Sequence, residues 1–257
     1  MRIATIQLEV TDAEPRADRV ERVADLVRAQ QGADLITLPE LWPTGAFAYR
    51  AWPAAAEPVD GPTVTTLARV AGELGTYVHM GSIVERDGDA LYNTAVLLGP
   101  DGDVRATYRK IHLFGFGDGE PAMMSAGTRV VVADVGGTPV GLSTCYDLRF
   151  PEMFRALLDA GAQVVLCVAG WPAARVEHWS VLARARAIEN QCIVVAGNTA
   201  GTHAGYEMGG RSVVVDARGA VLAEAGTGEE VLTVDVDVAD VGTWRERFPV
   251  LADRRLG

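Results

Sequence analysis

The chain has 257 residues, is 49% hydrophobic and 22% charged, and carries a formal net charge of −11. That length suits one large α/β domain with a substantial core, so a single unit over residues 1–257 is expected. The acidic balance argues against nucleic acid or an anionic membrane as partner, because phosphate recognition needs concentrated lysine and arginine; a small molecule is expected instead.

The first segment, RIATIQLEV, alternates through Ile3 and Thr5 in the manner of a strand. It lacks the charged region, long apolar run and cleavage site of a secretory signal. PRADRVERVADLVRAQ then places Val20, Val23, Ala24 and Val27 at helical spacing, which completes a βα unit. ADLITLPE is a short, nearly continuous apolar strand of the buried kind, stopped at Pro39 and delivering Glu40 to its end. The spacing predicts a helix from Pro62 to Leu74, with Val64, Leu67, Ala68, Ala71 and Leu74 on one face, and TYVHMGSIVER as the following strand.

ALYNTAVLLGP and VRATYRKIHLF read as a hairpin around PDGD, and RVVVADVGGTPVGLSTC as another with Gly136 and Gly137 at its turn. A helix is expected near Pro151, then QVVLCVAG as strand, RVEHWSVLARARAIENQ as helix and CIVVAGNTAG as strand. GRSVVVDARGAVLAEA and EVLTVDVDV close the pattern as strands, ahead of a polar tail with Trp244 and Phe248. Hairpins mixed with βα units predict sheets covered by helices. No apolar run approaches the roughly 20 residues needed to cross a bilayer. Three cysteines without framework spacing imply reduced thiols, hence a soluble cytoplasmic protein.

Cys167 and Cys192 lie in strongly apolar runs, where cysteine behaves as a small buried hydrophobe. Cys145 differs, because it ends its run and is followed by Tyr146, Asp147 and Arg149 ahead of a helix. A helix N-terminus and nearby cations would favour its thiolate, although the segment read alone leaves nucleophile and packing residue equally open. The four histidines are scattered, so the candidate base is acidic. Glu40 in LPELWPTG is fenced by Pro39, Trp42 and Pro43, where a carboxylate could either take a thiol proton or serve as a cap.

Lys110 in YRKIHLF sits among apolar and aromatic residues, as an oxyanion-stabilising ammonium or as a snorkelling edge-strand charge. Glu120, in GFGDGEP, could hydrogen-bond the lysine or the substrate, or stand as a solvated loop residue. No phosphate-binding glycine turn, metal-ligand spacing or G-x-S-x-G elbow is present, so neither metal nor organic cofactor is indicated.

LPELWPTG, YRKIHLF and GLSTCYDLRFPE occur in this order, and together they resemble the nitrilase, or carbon–nitrogen hydrolase, superfamily. WPAARVEHWSVLARARAIENQ and VVAGNTAG extend the likeness over essentially the whole chain. The resemblance implies a four-layer α-β-β-α sandwich, assembled as a homodimer or higher homo-oligomer through the helical layer after the cysteine. It implies a Glu-Lys-Cys triad in which Glu40 is general base, Lys110 the oxyanion group and Cys145 the nucleophile, with Glu120 as a second glutamate. Hydrolysis would pass through a thioester.

CYDLRFPE and AGWPAARVEHW look most like the bacterial branch of ω-amidases, which remove the terminal amide of α-keto acid amides, and of deaminated-glutathione amidases. Arg149 and Arg175 are candidate carboxylate binders because guanidinium pairs bidentately with such anions, and Tyr146 and Trp171 are candidate pocket walls. A nitrilase or N-carbamoyl amine hydrolase could use the same triad. A non-catalytic binding protein of this fold is the alternative of another class, and the intact Glu40, Lys110 and Cys145 argue against it.

Overall fold

The computed structural model describes residues 1–256. In its first half, β1 (Arg2–Gln7), β2 (Leu35–Thr37) and β3 (Tyr77–Asp87) run parallel. Their crossovers carry α1 (Arg16–Arg28) and, after the single turn α2 (Trp52–Ala55), α3 (Pro62–Leu74). β4 (Ala90–Leu98) and β5 (Val104–Arg109) continue antiparallel from β3, and α4 (Glu120–Met123) is one turn leading out of this half.

The second half repeats the plan. β6 (Val131–Val135) and β7 (Thr138–Thr144) form a hairpin, and β8 (Val164–Val168) and β9 (Ile193–Gly197) lie parallel to β7, with α5 (Pro151–Asp159) and α6 (Val176–Asn190) in the crossovers. A small hairpin, β10 (Thr202–His203) and β11 (Tyr206–Glu207), precedes β12 (Val213–Val215), which pairs antiparallel with β9, and β13 (Val221–Glu224), which pairs antiparallel with β12 and extends the second sheet. β14 (Glu230–Asp235) returns to pair with β1, and α7 (Ala239–Arg247) follows. The strand orders are β14-β1-β2-β3-β4-β5 and β13-β12-β9-β8-β7-β6.

Side chains alternate across a strand, so a sheet buried on both faces supplies two cores. Ala4, Ile6, Ile36 and Val78 point from the first sheet into a cluster with Val20, Val23 and Val27 of α1 and Leu67 and Val70 of α3. Ile3, Leu35, Leu97 and Tyr108 point the other way, into a cluster with Leu142, Leu166 and Val194 of the second sheet. Phe154 and Leu157 of α5 and Trp179, Ala183 and Ala187 of α6 join that second cluster. The layers are thus α-β-β-α, and burial of each large aliphatic side chain contributes about 1.5–3 kcal/mol.

The expected hairpins and crossover helices are all present, and α3 has the bounds its spacing predicts. The polar tail differs: residues Ala239–Arg247 are helical. Its sequence carries little amphipathic signal, and docking fixes it, with Val241 buried and Trp244 stacked beneath Arg218 at 4.9 Å. Among the described residues no helix is long and apolar enough to cross a membrane.

Candidate active site

Glu40 follows β2, at the C-terminal end of a parallel strand, where open α/β sheets place their sites. The chain turns sharply after it, with Leu41 at φ 43°. The turn is held from below: the Leu41 amide donates to Ser82 Oγ at 3.0 Å, and Trp42 Nε1 donates to the Met80 carbonyl at 2.8 Å. From the side, Arg19 of α1 donates to the carbonyls of Trp42 and Pro43 at 3.2 and 3.4 Å. Gly81 permits this contact, because it adopts φ 70° and a Cβ there would lie 1.8 Å from the Pro39 carbonyl oxygen.

Cys145 stands at the corresponding place in the second sheet, one residue beyond β7 and at the start of a 3-10 turn, Cys145–Arg149. Its φ is 50°, a conformation that costs a non-glycine residue about 1–3 kcal/mol and concentrates at functional sites. Lys110 directly follows β5, and its backbone N–H donates to the Asn93 carbonyl at 2.9 Å. Glu120 opens α4.

These four side chains meet between the sheets, and all are buried. Lys110 Nζ donates to Glu40 Oε1 at 2.7 Å and to Glu120 Oε2 at 2.8 Å. An ammonium has three donors, so one is left for a group in the pocket that Lys110 lines. Glu40 Oε2 accepts the Gly170 N–H at 2.8 Å. Asn93 Nδ2 donates to Glu40 Oε1 at 2.8 Å and to Glu120 Oε1 at 2.7 Å, and the Phe114 N–H donates to Glu120 Oε2 at 2.6 Å.

The electrostatics follow from burial and charge. Burial works to discharge Lys110, but the Glu120 and Glu40 carboxylates overcome it and hold the ammonium well above the usual lysine range. Burial raises Glu120, against the pull of Lys110 and with the push of Glu40. Burial and the Glu40 charge push the Cys145 thiol well above its ordinary value, although Lys110 opposes them. Burial therefore favours the neutral thiol, against the thiolate that a helix terminus alone would favour, and a neutral thiol needs a base to take its proton before sulfur can attack. Cys167 and Cys192 are buried, with burial pushing both thiols up to about 12, in keeping with packing roles.

A small pocket opens over Cys145. It is lined by all of the predicted site residues: Glu40, Lys110, Glu120, Cys145, Tyr146, Arg149, Trp171 and Arg175. Tyr146 packs edge-on against Phe114 at 5.3 Å. It is second in the 3-10 turn, where backbone N–H groups lack partners inside the helix. Trp171 is nearly buried and anchored, its Nε1 donating to the Arg175 carbonyl at 2.8 Å.

Arg149 lies over the Trp171 ring at 4.6 Å and reaches His178 Nδ1 at 3.3 Å, while Arg175 lies 5.4 Å from the Phe114 ring. Among the described residues neither guanidinium pairs with a carboxylate. Burial and the neighbouring Arg175 hold Arg149 below the usual arginine range. No cluster of three or more histidine, cysteine or acidic side chains among the described residues is arranged to hold a metal.

Sequence reasoning missed Asn93, the Gly170 N–H, and Phe47 and Tyr49, which also line the pocket. Asn93 did leave a signal: an amide inside the apolar run ALYNTAVLL must find partners when buried. The Gly170 N–H leaves none, since any residue but proline offers the same donor.

A family model described as carbon–nitrogen hydrolase matches residues 2–246. The 2-oxoglutaramate amidase of Paenarthrobacter nicotinovorans is 41% identical to this chain, over 98% of it and 89% of that protein. The omega-amidase of Homo sapiens is 35% identical, over 99% and 95%. Among solved structures, a CN-hydrolase superfamily protein from Xanthomonas campestris with an arsenic adduct in its active site superposes with a TM-score of 0.93. It is 33% identical, and the match covers 100% of this chain and 98% of that one.

Proposed function

The chain belongs to the carbon–nitrogen hydrolase family and is an amidase, and from that premise we propose that it acts as an ω-amidase on a small 2-oxo acid amide. The observation that carries the substrate class is the pair of guanidinium groups, Arg149 and Arg175, on the wall of the Cys145 pocket with no carboxylate partner among the described residues. Both guanidiniums are partly exposed at the pocket, and a guanidinium pairs bidentately with a carboxylate, so an anionic substrate end finds partners there. The 2-oxoglutaramate amidase among the relatives supports the same reading.

The residue roles we propose follow from the geometry. The amide carbonyl lies over Cys145, and Glu40 removes the thiol proton as sulfur attacks carbon. The free donor of Lys110 and the N–H of Tyr146 stabilise the oxyanion. Collapse breaks the C–N bond, and Glu40 returns its proton to the nitrogen, so ammonia departs and a thioester remains. Glu40 then takes a proton from water, hydroxide adds to the thioester, and the second collapse gives the carboxylic acid and the reprotonated thiol. Glu120 holds Lys110 in place throughout.

We also place the protein in the cytoplasm as a homodimer. Three free thiols favour a reducing compartment, and α6 exposes Val181 and Ile188 on the helical layer after the cysteine.

Ammonia release tests the substrate. With 2-oxoglutaramate, kcat/KM should exceed that for propionamide by about 100-fold or more, as expected when a site built for a charged group is left unfilled. Replacing Arg149 and Arg175 together by Ala should remove most of that ratio. Equal rates on the two amides, or faster turnover of a nitrile, would overturn the assignment.

A further inference from the structure

We infer that Asp147 is a positioning residue that fixes the Cys145 turn of the second sheet against the Lys110 segment of the first. The inference rests on the proposed roles of Cys145 as nucleophile and Lys110 as oxyanion group. Those two groups reach the pocket from different sheets, so the gap between them depends on how the sheets are tied together at this end.

Asp147 is that tie. It lies two residues after Cys145, fully buried, and has no lysine or arginine partner among the described residues. Its Oδ2 accepts the Tyr108 hydroxyl at 2.6 Å and the Thr144 N–H at 2.9 Å. Its Oδ1 accepts the His112 N–H at 3.1 Å and His112 Nδ1 at 2.7 Å. Tyr108 and His112 stand two residues before and two residues after Lys110, and Thr144 directly precedes Cys145. One carboxylate therefore holds the chain both before and after Lys110, and the nucleophile's turn at its root.

The donors are themselves fixed. Burial and the Asp147 charge push the Tyr108 phenol well above its usual range, so it stays protonated and donates. The His112 ring lies flat on Phe150 at 3.8 Å, and the Phe150 N–H donates to the Asp147 carbonyl at 2.9 Å. An ordinary turn cap would account for the Thr144 bond and for none of the three that cross to the other sheet. A carboxylate has about four acceptor sites, and all four are used. Burying such a charge costs more than apolar packing would, which argues that the position is kept for geometry.

The test is Asp147→Asn, which preserves shape but turns one acceptor into a donor facing either the His112 pair or the Tyr108 and Thr144 pair. For amide hydrolysis kcat should fall roughly 10- to 100-fold, the scale of an ångström's misplacement, while KM stays within about threefold. Alkylation of Cys145 by iodoacetamide needs a deprotonated sulfur but builds no oxyanion, so it should slow by less than about threefold. Tyr108→Phe removes one of the four bonds and should move kcat in the same direction by less.

A folded Asp147→Asn with unchanged kcat would falsify the inference, and so would turnover and alkylation falling together. If that variant does not fold, Tyr108→Phe decides, and wild-type kcat there is the overturning result. Cys145→Ala and Lys110→Met serve as controls. Full activity in either means that the active-site assignment itself is wrong, an outcome distinct from failure at Asp147.

Discussion

At the scale of single residues, the two buried glutamates share a neutral neighbour. Asn93 spends both amide hydrogens on Glu40 Oε1 and Glu120 Oε1, and with Lys110 it occupies the inner edge of Glu40. The other oxygen, Oε2, accepts the Gly170 N–H. Asn93→Leu should therefore lower kcat by about tenfold or more, since each hydrogen bond to a charged group is worth roughly 1.5–3 kcal/mol. Losing a donor to a carboxylate disfavours its charged form, so Glu120, already raised by burial, rises further. The acid limb of kcat should then move to higher pH, which a rate–pH profile will show; an unmoved limb with a uniformly lower rate would mean a packing role only. Glu40, Lys110 and Cys145 were legible in the sequence because each ends or follows a strand in a recognisable motif. The upward push on the Cys145 thiol was not, because it comes from burial and the Glu40 charge, and the burial is a product of the fold.

At the scale of elements, the strand ends at Glu40 and Cys145 both use backbone geometry that side chains rarely adopt. β3 carries an irregularity in its pairing with β4 between His79 and Ser82, and Gly81 sits in it at φ 70° directly beneath Pro39. Gly81→Ala should destabilise the fold by more than about 1 kcal/mol, because alanine is strained at that φ and its Cβ overlaps backbone. The same change should displace Glu40, so activity measured well below the melting temperature should fall as well. Full activity in a merely less stable protein would separate the Gly81 turn from the position of Glu40. Strands and crossover helices were readable from periodicity, since α3 and the buried strands have strong apolar patterns. The irregularity in β3 went unread although it left a signal, the lone glycine inside TYVHMGSIVER, because glycine within a strand often marks a bulge.

At the scale of the whole molecule, the two halves repeat one plan, a parallel trio of strands with helices over it, and the site lies where their strand ends face each other. α6 covers the second sheet on one side and exposes Val181 and Ile188 on the other. The proposed homodimer uses this face, so Val181→Glu with Ile188→Glu should convert it to monomer, read by light scattering across a dilution series. A wild-type protein that is monomeric at all concentrations would refute the proposed assembly. By itself the sequence determined the strand and helix pattern, the acidic surface and, through three motifs in order, the family and its amidase chemistry. These are properties of local spacing and residue type. Only the tertiary structure decided that Glu40, Lys110, Glu120 and Cys145 share one pocket, that Asn93 bonds both glutamates and Asp147 bonds the segments around Cys145 and Lys110, and that Arg149 and Arg175 line the pocket with no carboxylate partner among the described residues. Hydrogen-bond partners and burial belong to segments far apart in the chain, and they exist only once two sheets have packed face to face.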